Sequence, residues 1–205
     1  MKLYQRFFAR IYDPFMASSE EGWLRPLRQS LLGGLGGHVL EIGAGTGINF
    51  AYYPAGTRVT ACDPSGPMLA FARQKAVQSS VKAKIRVLEA SADDPCVQAN
   101  RPAEGWDYIV FTLVLCTVPN PRELLQQCYD WLHPDGRLIV LEHVASDSRW
   151  GLHAQKMAQP LWGVFSEGCQ LHRPTGAYIK EAGFVPQREE RLTKGLPFLL
   201  GIYEK

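Results

Sequence analysis

The chain contains no C-x-x-C pair, no cluster of Lys and Arg, no long apolar run, and no glycine where a dinucleotide fingerprint requires its third one. Each absence excludes something. Five cysteines stand far apart (Cys62, Cys96, Cys116, Cys128 and Cys169). An odd, dispersed set argues against a disulfide framework or a zinc site and for a reducing compartment. A net charge of +2 without a basic run leaves no footprint for nucleic acid. No apolar stretch approaches the ~20 residues of a membrane-spanning helix. Lys2, Arg6 and Arg10 interrupt any apolar core near the start, so a signal peptide is not expected and a cytoplasmic location is. No repeat or low-complexity tract is visible. What remains is ordinary for a globular protein: 46% hydrophobic and 20% charged residues over 205 positions, enough for one domain spanning 1–205.

Strand and helix signals alternate from residue 38 onward. Strands are expected at His38–Ile42, Arg58–Cys62, Lys84–Leu88, Trp106–Phe111 and Arg137–Leu141, with helices near 47–53, 65–78, 94–100 and 121–132. That alternation implies an α/β fold, a parallel sheet with helices on both faces. Pro134-Asp135-Gly136 reads as a turn, since Pro fixes φ and Gly permits positive φ. Before this core, Leu3, Tyr4, Phe7, Phe8, Ile11, Tyr12 and Phe15 mark one face of a helix that Asp13-Pro14 should break. A second amphipathic helix covers Glu20 to Leu32 and ends at Gly33-Gly34. After the core, Trp150 to Glu167 is aromatic and helical, with a break expected at Pro160. A helix at Pro174–Ala182 and strands near Val185–Leu192 and Phe198–Tyr203 close the chain. The expected organisation is cap helices at 1–35, a cofactor-binding core at 38–142, a lid at 145–175, and a final helix and strands at 176–205.

The most informative stretch is Val39-Leu40-Glu41-Ile42-Gly43-Ala44-Gly45-Thr46-Gly47. An apolar strand runs into a glycine-rich turn, and Ile48-Asn49-Phe50 then opens a helix. Such a turn lets a ligand lie against the backbone, and the helix start offers free N–H donors. Asp63, at the end of the second strand, is placed to accept hydrogen bonds from ribose hydroxyls. A nucleoside cofactor follows. In the dinucleotide pattern G-x-G-x-x-G the third glycine would fall at Ile48, which speaks against a nicotinamide-dependent oxidoreductase. Glu41 adds negative charge beside the turn, which suits a cationic ligand such as S-adenosylmethionine, with its sulfonium and ammonium groups.

In open α/β sheets ligands bind beyond the carboxyl ends of the strands. Asp63-Pro64-Ser65 is read there as a ribose-binding loop; the plain alternative is a helix cap, with Ser65 capping the next helix. Met68 packs either against an adenine or in the core. Cys116, in Thr112-Leu113-Val114-Leu115-Cys116, invites a nucleophile hypothesis, but free cysteine is often a small buried hydrophobe, and no activating base adjoins it in sequence. His143 is the candidate general base, because an unperturbed imidazole titrates near neutrality; the alternative is a structural hydrogen bond. His153 and His172 read as lid or surface residues.

Glu41-Ile42-Gly43-Ala44-Gly45-Thr46-Gly47, Asp63-Pro64, Asp107-Tyr108-Ile109-Val110 and Leu132-His133-Pro134-Asp135-Gly136-Arg137 together resemble a class I S-adenosylmethionine-dependent methyltransferase. More narrowly, three stretches are similar to the methyltransferase-like thiol S-methyltransferases: Asn49-Phe50 with Tyr53-Pro54; Thr112–Cys116; and Glu142-His143-Val144 with Gly168-Cys169-x-Leu171-x-Arg173. The resemblance implies a Rossmann-like seven-stranded, mostly parallel sheet, an N-terminal helical cap, and a helical lid inserted after the fifth strand. It implies S-adenosylmethionine as cofactor and S-adenosylhomocysteine as product. Glu41, Gly43, Ala44, Gly45, Thr46, Gly47 and Asn49 would form the turn at the cofactor. Asp63, Pro64, Ser65 and Met68 would take its nucleoside, Ala92 and Asp93 (in Ser91-Ala92-Asp93) its adenine, and Thr112 and Leu113 its methionine arm. Tyr4, Tyr12, Cys116, His143, Trp162 and Cys169 would meet the substrate.

The activity so implied is methylation of a small hydrophobic thiol, with N- or C-methylation of a phospholipid headgroup or quinone ring as the alternative. No metal is expected. Animal thiol methyltransferases carry an apolar N-terminal anchor; Met1–Phe15 is a short aromatic helix instead, suited to capping the active site, with transient membrane contact through Phe7, Phe8 and Phe15 left open. A non-catalytic cofactor-binding module is the remaining alternative. The sequence leaves the oligomeric state open.

Overall fold

Apolar, β-branched segments between turn residues become strands, and here seven of them form one sheet in the order β3-β2-β1-β4-β5-β7-β6. These assignments come from a computed structural model, which describes residues 2–166 and 168–205. The strands are β1 (His38–Ile42), β2 (Arg58–Asp63), β3 (Lys84–Glu89), β4 (Trp106–Thr112), β5 (Leu132–His143), β6 (Val185–Lys194) and β7 (Leu196–Glu204). The helices are α1 (Lys2–Ser19), α2 (Arg25–Leu32), α3 (Gly66–Ala76), α4 (Pro95–Ala99), α5 (Pro121–Trp131), α6 (Arg149–Phe165) and α7 (Thr175–Glu181). Among the described residues no helix is long and apolar enough to cross a membrane. Two packing units divide the chain after Tyr108.

In the first unit, β1 pairs in parallel with β2, and β2 with β3, placing Ile42 opposite Cys62 and Asp63 opposite Glu89. Val39, Leu40, Val59, Ala61, Leu69 and Ala72 are among its buried side chains. The segment after Gly47 is a 3-10 turn, Ile48–Tyr52.

Asp13-Pro14 does not break the first helix: α1 continues through Pro14 to Ser19. Proline in a helix interior costs about 3 kcal/mol, and tertiary contacts offset it. The Asp13 carboxylate accepts from Thr46 Oγ1 at 2.6 Å and from Lys75 Nζ at 2.6 Å, and so ties the helix to the glycine turn and to α3. The second expected helix is also altered. Glu20–Leu24 is a π-helical turn, and only Arg25–Leu32 is α-helical.

In the second unit, β7 runs antiparallel to β5, with His143 opposite Phe198, and antiparallel to β6. β6 is the edge strand. It carries Pro186 beside a register shift and the charges Arg188, Glu189, Glu190, Arg191 and Lys194, all of which discourage pairing with another chain. Two further expectations are corrected. Pro134–Gly136 lies inside the range of β5, where the Asp135 N–H donates to His133 Nδ1 at 3.1 Å. α6 runs unbroken through Pro160 to Phe165, because Gln159 on the preceding position anchors it, donating to the Cys169 carbonyl and accepting from the Leu171 N–H. The expected end of that helix, Glu167, lies outside the described residues.

Candidate active site

The turn after β1 is built from left-handed glycines: Gly43, Gly45 and Gly47 have φ of 73°, 55° and 77°. Gly43 and Ala44 both donate their N–H groups to the Cys62 carbonyl, at 2.8 and 3.1 Å, which fastens the turn to β2. A Cβ on Gly47 would stand 2.6 Å from the Phe50 ring and 3.1 Å from Ala72 Cα. The close helix approach that a dinucleotide fold assigns to a later glycine is therefore served here by Gly47. Gly45 faces Met68, whose Cε would lie 3.6 Å from such a Cβ.

Asp63 organises the same turn. Its Oδ2 accepts from the Gly45 N–H at 2.9 Å and its Oδ1 from the Ser65 N–H at 2.8 Å. Burial raises its pKa, against the pull of both N–H donors. Each oxygen keeps a further lone pair for a ligand hydroxyl. Ser65 occupies the cap position of α3 but makes no side-chain cap bond, contrary to the capping alternative, and its Oγ is out of solvent with no hydrogen-bond partner. An orphaned hydroxyl beside a carboxylate with spare capacity fits the polar edge of a nucleoside. The cap of α4 is Asp94, through the Cys96 N–H at 2.8 Å, so the neighbouring Asp93 is exposed and not used as a cap.

Glu41 is buried, and both its oxygens are engaged, by Asn49 Nδ2 at 2.9 Å and by the Tyr53 hydroxyl at 2.9 Å. Asn49 Oδ1 accepts from Arg28 at 2.7 Å, and Arg28 grips the Glu20 carboxylate through Nε and NH2. Burial lifts the Glu41 pKa to about 7, although Tyr53, Asn49 and the Arg28 charge work to lower it. This buried chain from the π-helical turn to the 3-10 turn was missed in sequence; only Glu41 and Asn49 were candidates. Lys75 completes the support of the turn, donating to Thr46 Oγ1 at 3.2 Å as well as to Asp13. Along α1, Tyr4 stacks on Phe8 with ring centroids 6.2 Å apart, and Tyr12 meets Phe8 at a tilt with centroids 5.6 Å apart.

The second unit gathers the other candidates. Cys116, His143, Trp162 and Cys169 meet, though they are far apart in sequence. His143 Nε2 lies 2.9 Å from Cys169 Sγ, and Trp162 Nε1 donates to that sulfur at 3.3 Å. The Cys116 thiol hydrogen-bonds to the Cys169 sulfur and pulls the Cys169 pKa well below the ordinary thiol value, reinforced by His143 and Trp162. The same bond, with burial, drives Cys116 in the opposite direction. Burial pulls the His143 pKa down, but the Cys169 hydrogen bond and charge outweigh it and leave it raised. His143 Nδ1 is buried without a partner.

Glu142 and Arg173 hold this cluster's frame. Glu142 Oε1 accepts from the Val114 and Leu115 N–H groups at 2.7 and 2.9 Å. Burial pushes its pKa to about 7. Arg173 donates to the carbonyls of Leu115 and Val118. Between them they fix a turn in which Leu113 takes a φ of 58°, the only positive value at a non-glycine among the described residues. Thr112 is buried at the end of β4.

The family model for a methyltransferase domain matches residues 16–184. Thiol S-methyltransferase TMT1B of Homo sapiens is 35% identical over 78% of this chain and 65% of its own length. Thiol S-methyltransferase TMT1A of Homo sapiens is 32% identical over 86% of this chain and 72% of its own length. The chain thus spans about two thirds of these relatives. Among solved structures, a SAM-dependent methyltransferase from Thermotoga maritima, titled a possible histamine N-methyltransferase, superimposes with a TM-score of 0.71 at 20% identity, each chain covered in full. The chain belongs to the class I S-adenosylmethionine-dependent methyltransferases.

Proposed function

We propose that this chain transfers the methyl group of S-adenosylmethionine to the sulfur of a small hydrophobic thiol. The observation that carries this reading is the convergence, beside Trp162, of Cys116, His143 and Cys169, which come from the segments in which the chain resembles thiol S-methyltransferases. The names of its relatives point the same way.

When bound, the cofactor supplies a sulfonium-activated methyl carbon. The chain's own residues do the rest. Asp63, with Pro64 and Ser65, takes the ribose hydroxyls, and the Gly43–Gly47 backbone lies along the cofactor. Met68, Ala92 and Asp93 border the adenine, while Thr112 and Leu113 border the methionine arm. Glu41 and Asn49 keep the turn in shape, and Glu41 adds negative charge near the cofactor's cationic groups when ionised.

The acceptor thiol lies against Cys116, His143, Trp162 and Cys169. A free thiol has a pKa of ~8.5, and a nearby sulfonium lowers it further by direct attraction. His143 is the candidate proton acceptor of that cluster, but its Nε2 is held by Cys169 and the sulfonium already favours the thiolate, so we assign it to positioning the acceptor. Exclusion of water by the buried cluster favours direct displacement.

A second reading, methylation of a phospholipid headgroup or quinone ring, draws on α6, where Trp150, Met157, Leu161 and Val164 are all exposed. A screen with methyl-labelled cofactor across alkyl thiols, aryl thiols, sulfide, quinols and phospholipid vesicles separates the two. Label in alkyl or aryl sulfides is expected. Label in lipid or quinone with none in thiols would reverse the assignment.

A further inference from the structure

Cys116, His143 and Cys169 come from three separate segments: the turn after β4, the last residue of β5, and the stretch beyond α6. One ligand atom from each lies within 4.8 Å of the other two. The three residues are only 2%, 6% and 5% exposed. Two thiols and an imidazole are the donor set preferred by zinc and similar thiophilic cations, whereas carboxylates favour magnesium or calcium. Glu142, the nearest acid in sequence, has Oε1 committed to backbone N–H groups.

The donors are also held from outside. Trp162 donates to Cys169 Sγ, Gln159 fixes the Cys169 carbonyl, and the Gln170 N–H binds the Cys116 carbonyl at 3.0 Å. Such supports orient ligands before a cation arrives. Zinc–sulfur and zinc–nitrogen bonds of about 2.3 and 2.0–2.1 Å put tetrahedral neighbours about 3.5–3.8 Å apart. The 2.9 Å contact between His143 and Cys169 then lengthens by about half an ångström on loading.

We propose that Cys116, His143 and Cys169 bind a single thiophilic divalent cation, zinc above all, and that its fourth position takes the acceptor thiol as a thiolate. The second half rests on the thiol-acceptor reading above. Three protein ligands with one open position are the pattern of reactive rather than structural zinc sites. On coordination, the acceptor S–H proton passes to solvent. In the transfer, a sulfur lone pair of the acceptor forms the new C–S bond. The methyl–sulfonium bond breaks, its electron pair stays on the cofactor sulfur, and the positive charge there is lost. The thioether produced is a weaker ligand than a thiolate and leaves the cation. Cysteines dispersed in sequence still converge here, because the fold assembles ligands 27 and 26 residues apart.

The protein, purified without chelators or added thiols, is incubated with zinc chloride, dialysed and assayed by elemental mass spectrometry. One zinc per chain is expected; none overturns the site. The Cys116→Ser/Cys169→Ser double variant loses the ion, while Cys96→Ser/Cys128→Ser keeps it; retention by the first pair also overturns the site. Because removing buried sulfurs can unfold a protein, cobalt chloride is used in parallel on the unmodified chain. A thiolate-to-cobalt charge-transfer band that shifts on adding propanethiol is expected. Absence of the band overturns the site, and a band indifferent to propanethiol overturns the fourth-position assignment. Protein that holds zinc but methylates no thiol refutes the thiol-acceptor reading and leaves the cation site standing; thiol methylation at full rate by zinc-free protein upholds that reading and overturns the fourth-position assignment.

Discussion

Asp13, one residue before a proline inside α1, accepts a 2.6 Å hydrogen bond from Thr46 in the middle of the glycine turn. With Lys75 at 2.6 Å from the same carboxylate, three elements are joined at one point. The Asp13 and Lys75 side chains are 36% and 26% exposed, so solvent screens the ion pair. Asp13→Ala should cost roughly 1 kcal/mol, read as a lower urea midpoint at unchanged slope. It should also speed proteolysis within α1. An unaltered midpoint and cleavage rate would show that the contact holds nothing.

Asp63→Ala should weaken S-adenosylhomocysteine binding by at least about 100-fold, roughly 3 kcal/mol. It removes both the proposed ribose acceptor and the anchor of the Gly45 N–H. Isothermal calorimetry measures it, and an unchanged dissociation constant would remove Asp63 from the cofactor site.

Gly47→Ala should destabilise the fold by about 3 kcal/mol, combining a strained left-handed φ with overpacking. The Phe50 ring can swing away from the new methyl group, but Ala72 Cα belongs to the α3 backbone. Thermal unfolding reports the loss directly.

Glu41 makes stability depend on pH in a defined direction. Its pKa is raised from 4.5 to about 7, so the folded state binds the extra proton between those values. Its contribution is full below pH 4.5 and is lost as pH rises through about 7, an effect of roughly 3 kcal/mol at most. Glu41→Gln should flatten that part of the profile. The quantity to compare is the difference in melting temperature between variant and parent at pH 5 and pH 8; a difference that does not change with pH would contradict the assignment.

His143→Ala should lower kcat/KM for a thiol by about 10–100-fold while leaving S-adenosylhomocysteine affinity intact. That is the signature of a residue that positions the acceptor. A loss of several further orders of magnitude would mark it as the general base instead.

What could be read from sequence followed the range of the signal. The glycine turn, Asp63 and the alternation of strands and helices are local patterns, and the α/β class follows from them; the seven-stranded sheet rests on the family resemblance. Pro14 and Pro160 misled for one reason. Proline's local penalty is legible, but the compensating contacts of Asp13 with Lys75 and of Gln159 with Cys169 join residues that the chain brings together only on folding. Cys116, His143 and Cys169 could each be picked out from a family likeness. Their meeting depends on β4, β5 and the segment after α6 converging, and no spacing rule encodes that. Arg28 left the faintest trace: one arginine in an amphipathic helix looks like a solvated face until Glu20 and Asn49 are seen on either side of it.

The buried chain Glu20–Arg28–Asn49–Glu41–Tyr53 sets a limit on how this protein can be cut or recombined. A fragment beginning at β1 would keep the buried acid of the turn, Glu41, and discard the guanidinium that opposes its charge. Residues that look like a detachable cap supply the counter-charge of the turn. Exchanges at these five positions are therefore epistatic, tolerated together and penalised singly, and a chimera must inherit them as one block.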